Sequence, residues 1–152
     1  MAEFYIIRHA HAISRLNWEK DDLKRPLTAD GKKRARKAFN RIFKLLDKPK
    51  VVYTSEAKRS IDTAKILSKI AGCEIVIEPC LNPGADKLDY STVVRDYKGD
   101  EPFAIIGHEP DISKFVAFYI SDSNINIKVR KGSICHIKNK YLENFIQQNA
   151  LL

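Results

Sequence analysis

Apolar residues along this chain come in two alternating patterns. Short unbroken runs, such as Phe4-Tyr5-Ile6-Ile7, Val51-Val52-Tyr53 and Phe103-Ala104-Ile105-Ile106, read as strands buried on both faces. Between them, apolar positions recur at helical spacing. Ala35, Phe39, Ile42 and Leu46 mark a helix over about 29–47, with Thr28 or Asp30 as its cap and Pro49 as its stop. Ala57, Ile61, Ala64, Leu67 and Ala71 mark a second, capped by Ser55 and ended by Gly72. A weaker helix is predicted near 87–97, after the loop Pro79 to Gly84. Another buries Ile112, Phe115, Val116 and Tyr119, with Pro110 in its first turn. The strands are predicted at 4–8, 50–54, 74–78, 103–106 and 133–138, the last as the final core strand; periodicity assigns nothing after Tyr141. Strands alternating with helices predict an α/β fold, a layered domain with a mainly parallel sheet.

Composition adds limits. At 152 residues the chain is expected to be a single domain, 1–152, and 44% apolar content suits a globular chain. No repeat, linker or low-complexity segment interrupts it. The net charge of +8 favours an acidic partner or an anionic substrate, although a lysine-rich protein without such a partner carries it equally well. Three cysteines, Cys73, Cys80 and Cys135, are odd in number and lack C-x-x-C spacing, which suggests reduced thiols. The N-terminus has no basic leader and its apolar run is interrupted by Arg8, so neither a secretory signal nor a membrane span is expected, and the expected location is cytoplasmic.

Chemistry-bearing residues cluster at the strand ends. Arg8-His9 follow the first strand, Ser55 and Arg59 follow the second, and Gly107-His108 follow the fourth. In α/β sheets, ligands bind outside the carboxyl ends of the strands. Two arginines and two histidines there suit a site for a phosphoryl group. Each segment also has a plainer reading. Ser55 to Arg59 reads as a cap and a solvated first turn, yet an arginine at a helix N-terminus makes more sense if an anion sits there. Gly107-His108 reads as a tight turn with a surface histidine. His9 and His11 have the H-x-H spacing of a metal pair, but the chain offers only His108 and His136 besides, and His136 reads as packed or at the surface. From Lys32 to Lys44 one helix carries seven cations and no acid, either a solvated face or a docking surface for an acidic partner. Without interleaved aromatic residues it does not suggest nucleic-acid binding.

The ordered set Arg8-His9, Ser55 with Arg59, and Gly107-His108 resembles the histidine phosphatase superfamily, also called phosphoglycerate mutase-like. Arg25-Pro26-Leu27-Thr28 with Gly31 resembles its R-P-L-T-x-x-G segment, and Ser55 through Ala64 resembles its S-x-x-x-R-A-x-x-T-A stretch. The resemblance covers nearly the whole chain, and Pro79 to Pro83 with the short length is similar to the bacterial phosphohistidine phosphatase branch. It implies a three-layer α/β/α sandwich and a signal-transduction phosphatase acting on a phosphorylated protein or a small phosphorylated substrate, without cofactor, metal, nucleic acid or membrane. It further implies that His9, neutral and held through one ring nitrogen by a backbone acceptor, attacks phosphorus. Arg8, Arg59 and a protonated His108 would bind the phosphoryl oxygens, and Ser55 would either join them or cap its helix. Two departures stand out: Ala10 replaces the usual glycine, and Cys80-Leu81-Asn82 carries no carboxylate where larger members have a general acid. Glu78, Asp86 and Asp89 lie nearby in sequence. The alternatives are a small-metabolite phosphatase or mutase of the same fold, the mutase disfavoured by the lack of long insertions, or a non-catalytic basic module.

Overall fold

A computed structural model describes residues 2–152. Six strands form one sheet: β1 (Glu3–Arg8), β2 (Val51–Thr54), β3 (Glu74–Ile77), β4 (Phe103–Gly107), β5 (Ile134–Lys138) and β6 (Tyr141–Ile146). Their order is β3-β2-β4-β1-β5-β6; the first four run parallel, and β5 and β6 are antiparallel to their neighbours. Four helices cover it: α1 (Ala29–Ile42), α2 (Lys58–Ala71), α3 (Lys87–Asp96) and α4 (Asp111–Ser121).

The period-two alternation of a strand explains the layering. From β1, Tyr5 and Ile7 point to one face and pack with Phe39 of α1 and Leu67 of α2. Phe4 and Ile6 point to the other and pack with Tyr90 of α3 and Phe115 of α4. Both faces are therefore apolar, which is why β1 and β4 read as unbroken runs. β1 and β4 lie side by side, but the chain leaves them toward opposite faces, β1 to α1 and β4 to α4. That divergence opens a crevice at their carboxyl ends, where Arg8 stands opposite Gly107.

Several boundaries differ from the sequence expectation. α1 ends at Ile42 and residues 43–46 form a turn, so the helix stops well before Pro49. α2 starts at Lys58 after an Ala57 that supplies no side-chain cap, so Ser55 does not cap the helix. Pro110 precedes the first turn of α4 instead of lying within it, and Tyr119 is only half-buried. β5 is not the final strand. Asn139 and Lys140 both adopt positive φ and turn the chain back into β6, the geometry of a two-residue hairpin loop.

Candidate active site

Arg8 and His9 sit where β1 ends. The His9 backbone N–H donates to the Gly107 carbonyl (3.1 Å), which joins the two strand ends. Gly107 itself must be small, because a Cβ there would collide with the Tyr90 hydroxyl. The His9 ring is 5% exposed, and its Nδ1 lies 2.7 Å from the Ala10 carbonyl. A carbonyl can only accept, so the ring hydrogen resides on Nδ1 and the Nε2 lone pair is left free. Burial, reinforced by the neighbouring His108, holds His9 well below the usual imidazole range, so the ring is neutral. Ala10 is fully buried, and its N–H donates to Thr63 Oγ1 (3.0 Å), which in turn donates to the Arg59 carbonyl (2.8 Å). Thr63 thus ties the histidine loop to α2.

His108 stands beside His9, with ring centroids 5.3 Å apart. It is 4% exposed, and its Nε2 faces two buried hydroxyls, Ser55 Oγ at 2.8 Å and Ser60 Oγ at 3.2 Å. The Ser55 oxygen also accepts from the Ala57 N–H (3.3 Å). Burial and the nearby Arg59 guanidinium push His108 down to about 3. The expectation of a protonated His108 is therefore corrected: buried among arginines, the ring is held neutral.

Arg59, only 1% exposed, projects from the first turn of α2 into the loop between β1 and α1. Its Nη1 donates to the Asp22 carbonyl (2.9 Å) and its Nη2 to Asp22 Oδ2 (3.1 Å). Asp22 also accepts from Arg25 Nε (3.0 Å) and lies 3.7 Å from Arg15. Burial raises the Asp22 carboxyl, but the Arg25 hydrogen bond and the Arg59 charge outweigh this and leave it below its ordinary value. Arg8 is held differently: its Nη1 donates to the Val129 carbonyl (3.0 Å). Among the described residues four buried side-chain polar atoms lack a partner, and three belong to this cluster: Arg8 Nε, Arg59 Nε and His108 Nδ1. Unpaired buried donors are costly and rare. Two guanidinium N–H groups and one ring nitrogen left unpaired near His9 make a set that suits an oxyanion.

The structure thus brings Arg8, His9, Ser55, Arg59 and His108 together. It does not bring in His11, which is exposed with Nδ1 3.3 Å from Thr28 Oγ1, so the H-x-H pair does not converge. His136 packs on Tyr5 and pairs with Glu3 Oε2 (2.8 Å) at the other end of the sheet. Asp86 and Asp89 form the capping box of α3, and Glu78 precedes a 3-10 turn. Asn82 donates to the Glu56 carboxylate (3.0 Å) and accepts the Glu56 N–H (2.8 Å). Sequence reasoning missed Asp22, Ser60, Thr63 and Glu109. The Glu109 carboxyl is raised by burial, against the opposing effects of its bonds to Ser113 and of Arg8. The available signals were Asp22 three residues before Arg25, and Ser60 where the superfamily pattern has alanine.

The family model of the histidine phosphatase superfamily (branch 1) matches residues 4–83, more than half of the chain. The chain belongs to this superfamily. The matched stretch contains Arg8, His9, Ser55 and Arg59; His108 lies beyond it and joins them through the pairing of β1 with β4. A curated relative, the probable phosphoglycerate mutase GpmB of Photorhabdus laumondii, is 33% identical over 85 residues, which are 53% of this chain but 37% of that protein. The chain thus spans little more than a third of that relative. Among solved structures, the protein histidine phosphatase SixA complexed with tungstate superposes with a TM-score of 0.86 over 99% of both chains at 18% identity. A mycobacterial glucosyl-3-phosphoglycerate phosphatase superposes with 0.65 over 89% of both chains at 15% identity. The fold is therefore that of the superfamily's phosphatases and mutases. Among the described residues no helix is long and apolar enough to cross a membrane.

Proposed function

We propose that this protein hydrolyses a phosphoryl group from phosphohistidine on a phosphotransfer protein, through a covalent intermediate on His9. The observation that carries this reading is the pairing of the His9 Nδ1–H with the Ala10 carbonyl, which leaves a neutral Nε2 among unpaired donors. Nε2 attacks phosphorus in line, and the bond from phosphorus to the substrate nitrogen breaks. Arg8, Arg59 and His108 stabilise the charge on the equatorial oxygens; such positioning and charge stabilisation is most of what phosphoryl transfer requires. A water molecule then attacks the phosphorus, its proton is released, and Nε2 departs with its lone pair restored. Ser55 acts through His108, by holding its Nε2.

The substrate class rests on the leaving group. An alkoxide needs a positioned acid, worth roughly 10²–10⁴-fold. The stretch where larger members carry one reads Cys80-Leu81-Asn82, and the Glu56 carboxylate beside it accepts from Asn82. When its other ring nitrogen carries a proton, phosphohistidine releases neutral imidazole without such help, the bonding pair staying on the substrate nitrogen, since the conjugate acid of imidazole has a pKa of about 6.5. The fold likeness to SixA, described as a protein histidine phosphatase, supports the same reading.

A second reading has one observation in its favour. Glu109 follows His108 directly, and burial raises its carboxyl, as suits a proton donor for a small phosphate ester. The two are separated by kcat/KM for a phosphohistidine protein, an aryl phosphate and a sugar phosphate, in wild type and Glu109→Gln. The first reading expects the order protein, aryl, sugar, with no loss in the variant. A sugar phosphate as best substrate, lost in Glu109→Gln, would replace it.

A further inference from the structure

A groove of about 1580 Å³ opens beside the cluster at Arg8 and Glu109 and runs along α4 to the segment 122–129. Its lining is mixed: among polar and charged side chains stand the half-buried Phe118 and Ile127 and the exposed Ile125. Four carboxylates lie on its walls, but three are turned to backbone N–H groups. Asp86 accepts from Leu88, Glu109 from Ser113, and Asp111 from Gly84 and Ala85. The lysines differ. Lys87, Lys114 and Lys128 are exposed and form no ion pair among the described residues. Lys87 lies over the Phe118 ring at 4.6 Å. The groove thus offers a partner a few apolar side chains, Ile125 the most exposed, and three exposed lysines outside any ion pair.

We propose that this groove docks an acidic, amphipathic helix of the protein substrate and delivers its phosphorylated side chain to Arg8 and His9. This rests on the phosphohistidine reading above. Phe118, Ile125 and Ile127 take the helix's apolar stripe, and Lys87, Lys114 and Lys128 take the flanking carboxylates. α4 has eleven residues, three turns or roughly 16 Å, which matches about three turns of a partner helix. A partner strand has nothing to pair with, since the sheet edges are β3 and β6 and neither lines the groove. The groove is also coupled to the site: Val129, on its wall, holds Arg8 through its carbonyl. The basic face of α1 does not line this groove. α1 packs on the opposite sheet face from α4, and its Arg34 and Arg41 hold the C-terminal segment through Asn149 and Leu151.

The test uses a synthetic helical peptide with one phosphohistidine between glutamates, a leucine stripe, and a scrambled control of equal composition. An aryl phosphate reports the intact catalytic cluster. Lys114→Glu with Lys128→Glu should lower kcat/KM for the amphipathic peptide by ~10-fold or more and leave aryl phosphate turnover within about two-fold, since charges at an interface rim act mainly on association. Lys33→Glu with Lys37→Glu should change neither. Equal cleavage of amphipathic and scrambled peptides, or an unaffected groove variant, overturns the proposal. If wild type cleaves the aryl phosphate but not the phosphohistidine peptide, the substrate reading fails. The groove is then judged by anisotropy binding of the unphosphorylated peptide: binding lost in the groove variant supports docking, and no binding to wild type overturns it.

Discussion

A neutral His108 has a consequence in acid that can be measured apart from catalysis. The ring titrates near its ordinary 6.5 when unfolded and at about 3 when folded. The native pKa is depressed, so the stabilising contribution is present above 6.5 and is lost as pH falls, because the unfolded chain takes up a proton that the folded one refuses. Between about pH 8 and about pH 5 the loss comes to about 2 kcal/mol, at about 1.4 kcal/mol for each pH step below 6.5. The size hardly depends on the folded value, provided that it lies well below 5. The assay is urea unfolding of wild type and His108→Asn at both pH values, so that every other titrating group is common to both proteins. Wild type should lose about 2 kcal/mol more than the variant on acidification. Parallel losses would show that His108 titrates normally in the fold. A relative gain of wild type in acid would show a charged His108, and the account of a neutral ring would be wrong.

Three further outcomes are expected. Arg59→Ala should lower kcat/KM by ~10²–10³ with retained helix content, as for loss of one transition-state donor; turnover near wild type would remove Arg59 from the phosphoryl site. Asp22→Asn should weaken tungstate or vanadate inhibition by about 10-fold, since two arginines lose a charge-assisted partner on a half-exposed loop; unchanged inhibition would mean that Asp22 does not position Arg59. Activity should withstand chelators, because among the described residues no three His, Cys, Asp or Glu side chains are grouped to hold a metal ion; loss on chelation with recovery on adding a divalent metal would contradict this.

The legible parts of the fold are those where the pattern is local. β1 and β4 are buried on both faces, so their apolar runs leave no ambiguity, and the residues at their ends follow from strand polarity. Helix existence was legible from apolar spacing, whereas helix ends were not, because they depend on tertiary partners. Ser55 looks like a cap since serine before a helix usually is one, but its hydroxyl lies against a histidine 53 residues away. β6 escaped because its inward residues, Leu142, Asn144 and Ile146, alternate with Tyr141, Glu143 and Phe145, so each face mixes polar and apolar. The hairpin before it uses Asn139-Lys140 without a glycine. The charge state of His108 depends on burial among arginines from two other segments, and Asp22 meets Arg59 across 37 residues. Neither relation leaves a periodic trace in the chain.

The central claim is that His9 Nε2 carries the phosphoryl group during turnover. Rapid acid-free quenching with a ³²P-labelled phosphohistidine protein, followed by denaturing electrophoresis, tests it directly. The account predicts label on this protein that survives base, is lost in mild acid, is absent in His9→Ala, and forms and decays at rates consistent with kcat. Turnover by His9→Ala at the wild-type rate, or a label bound through a bond stable to acid, would contradict it.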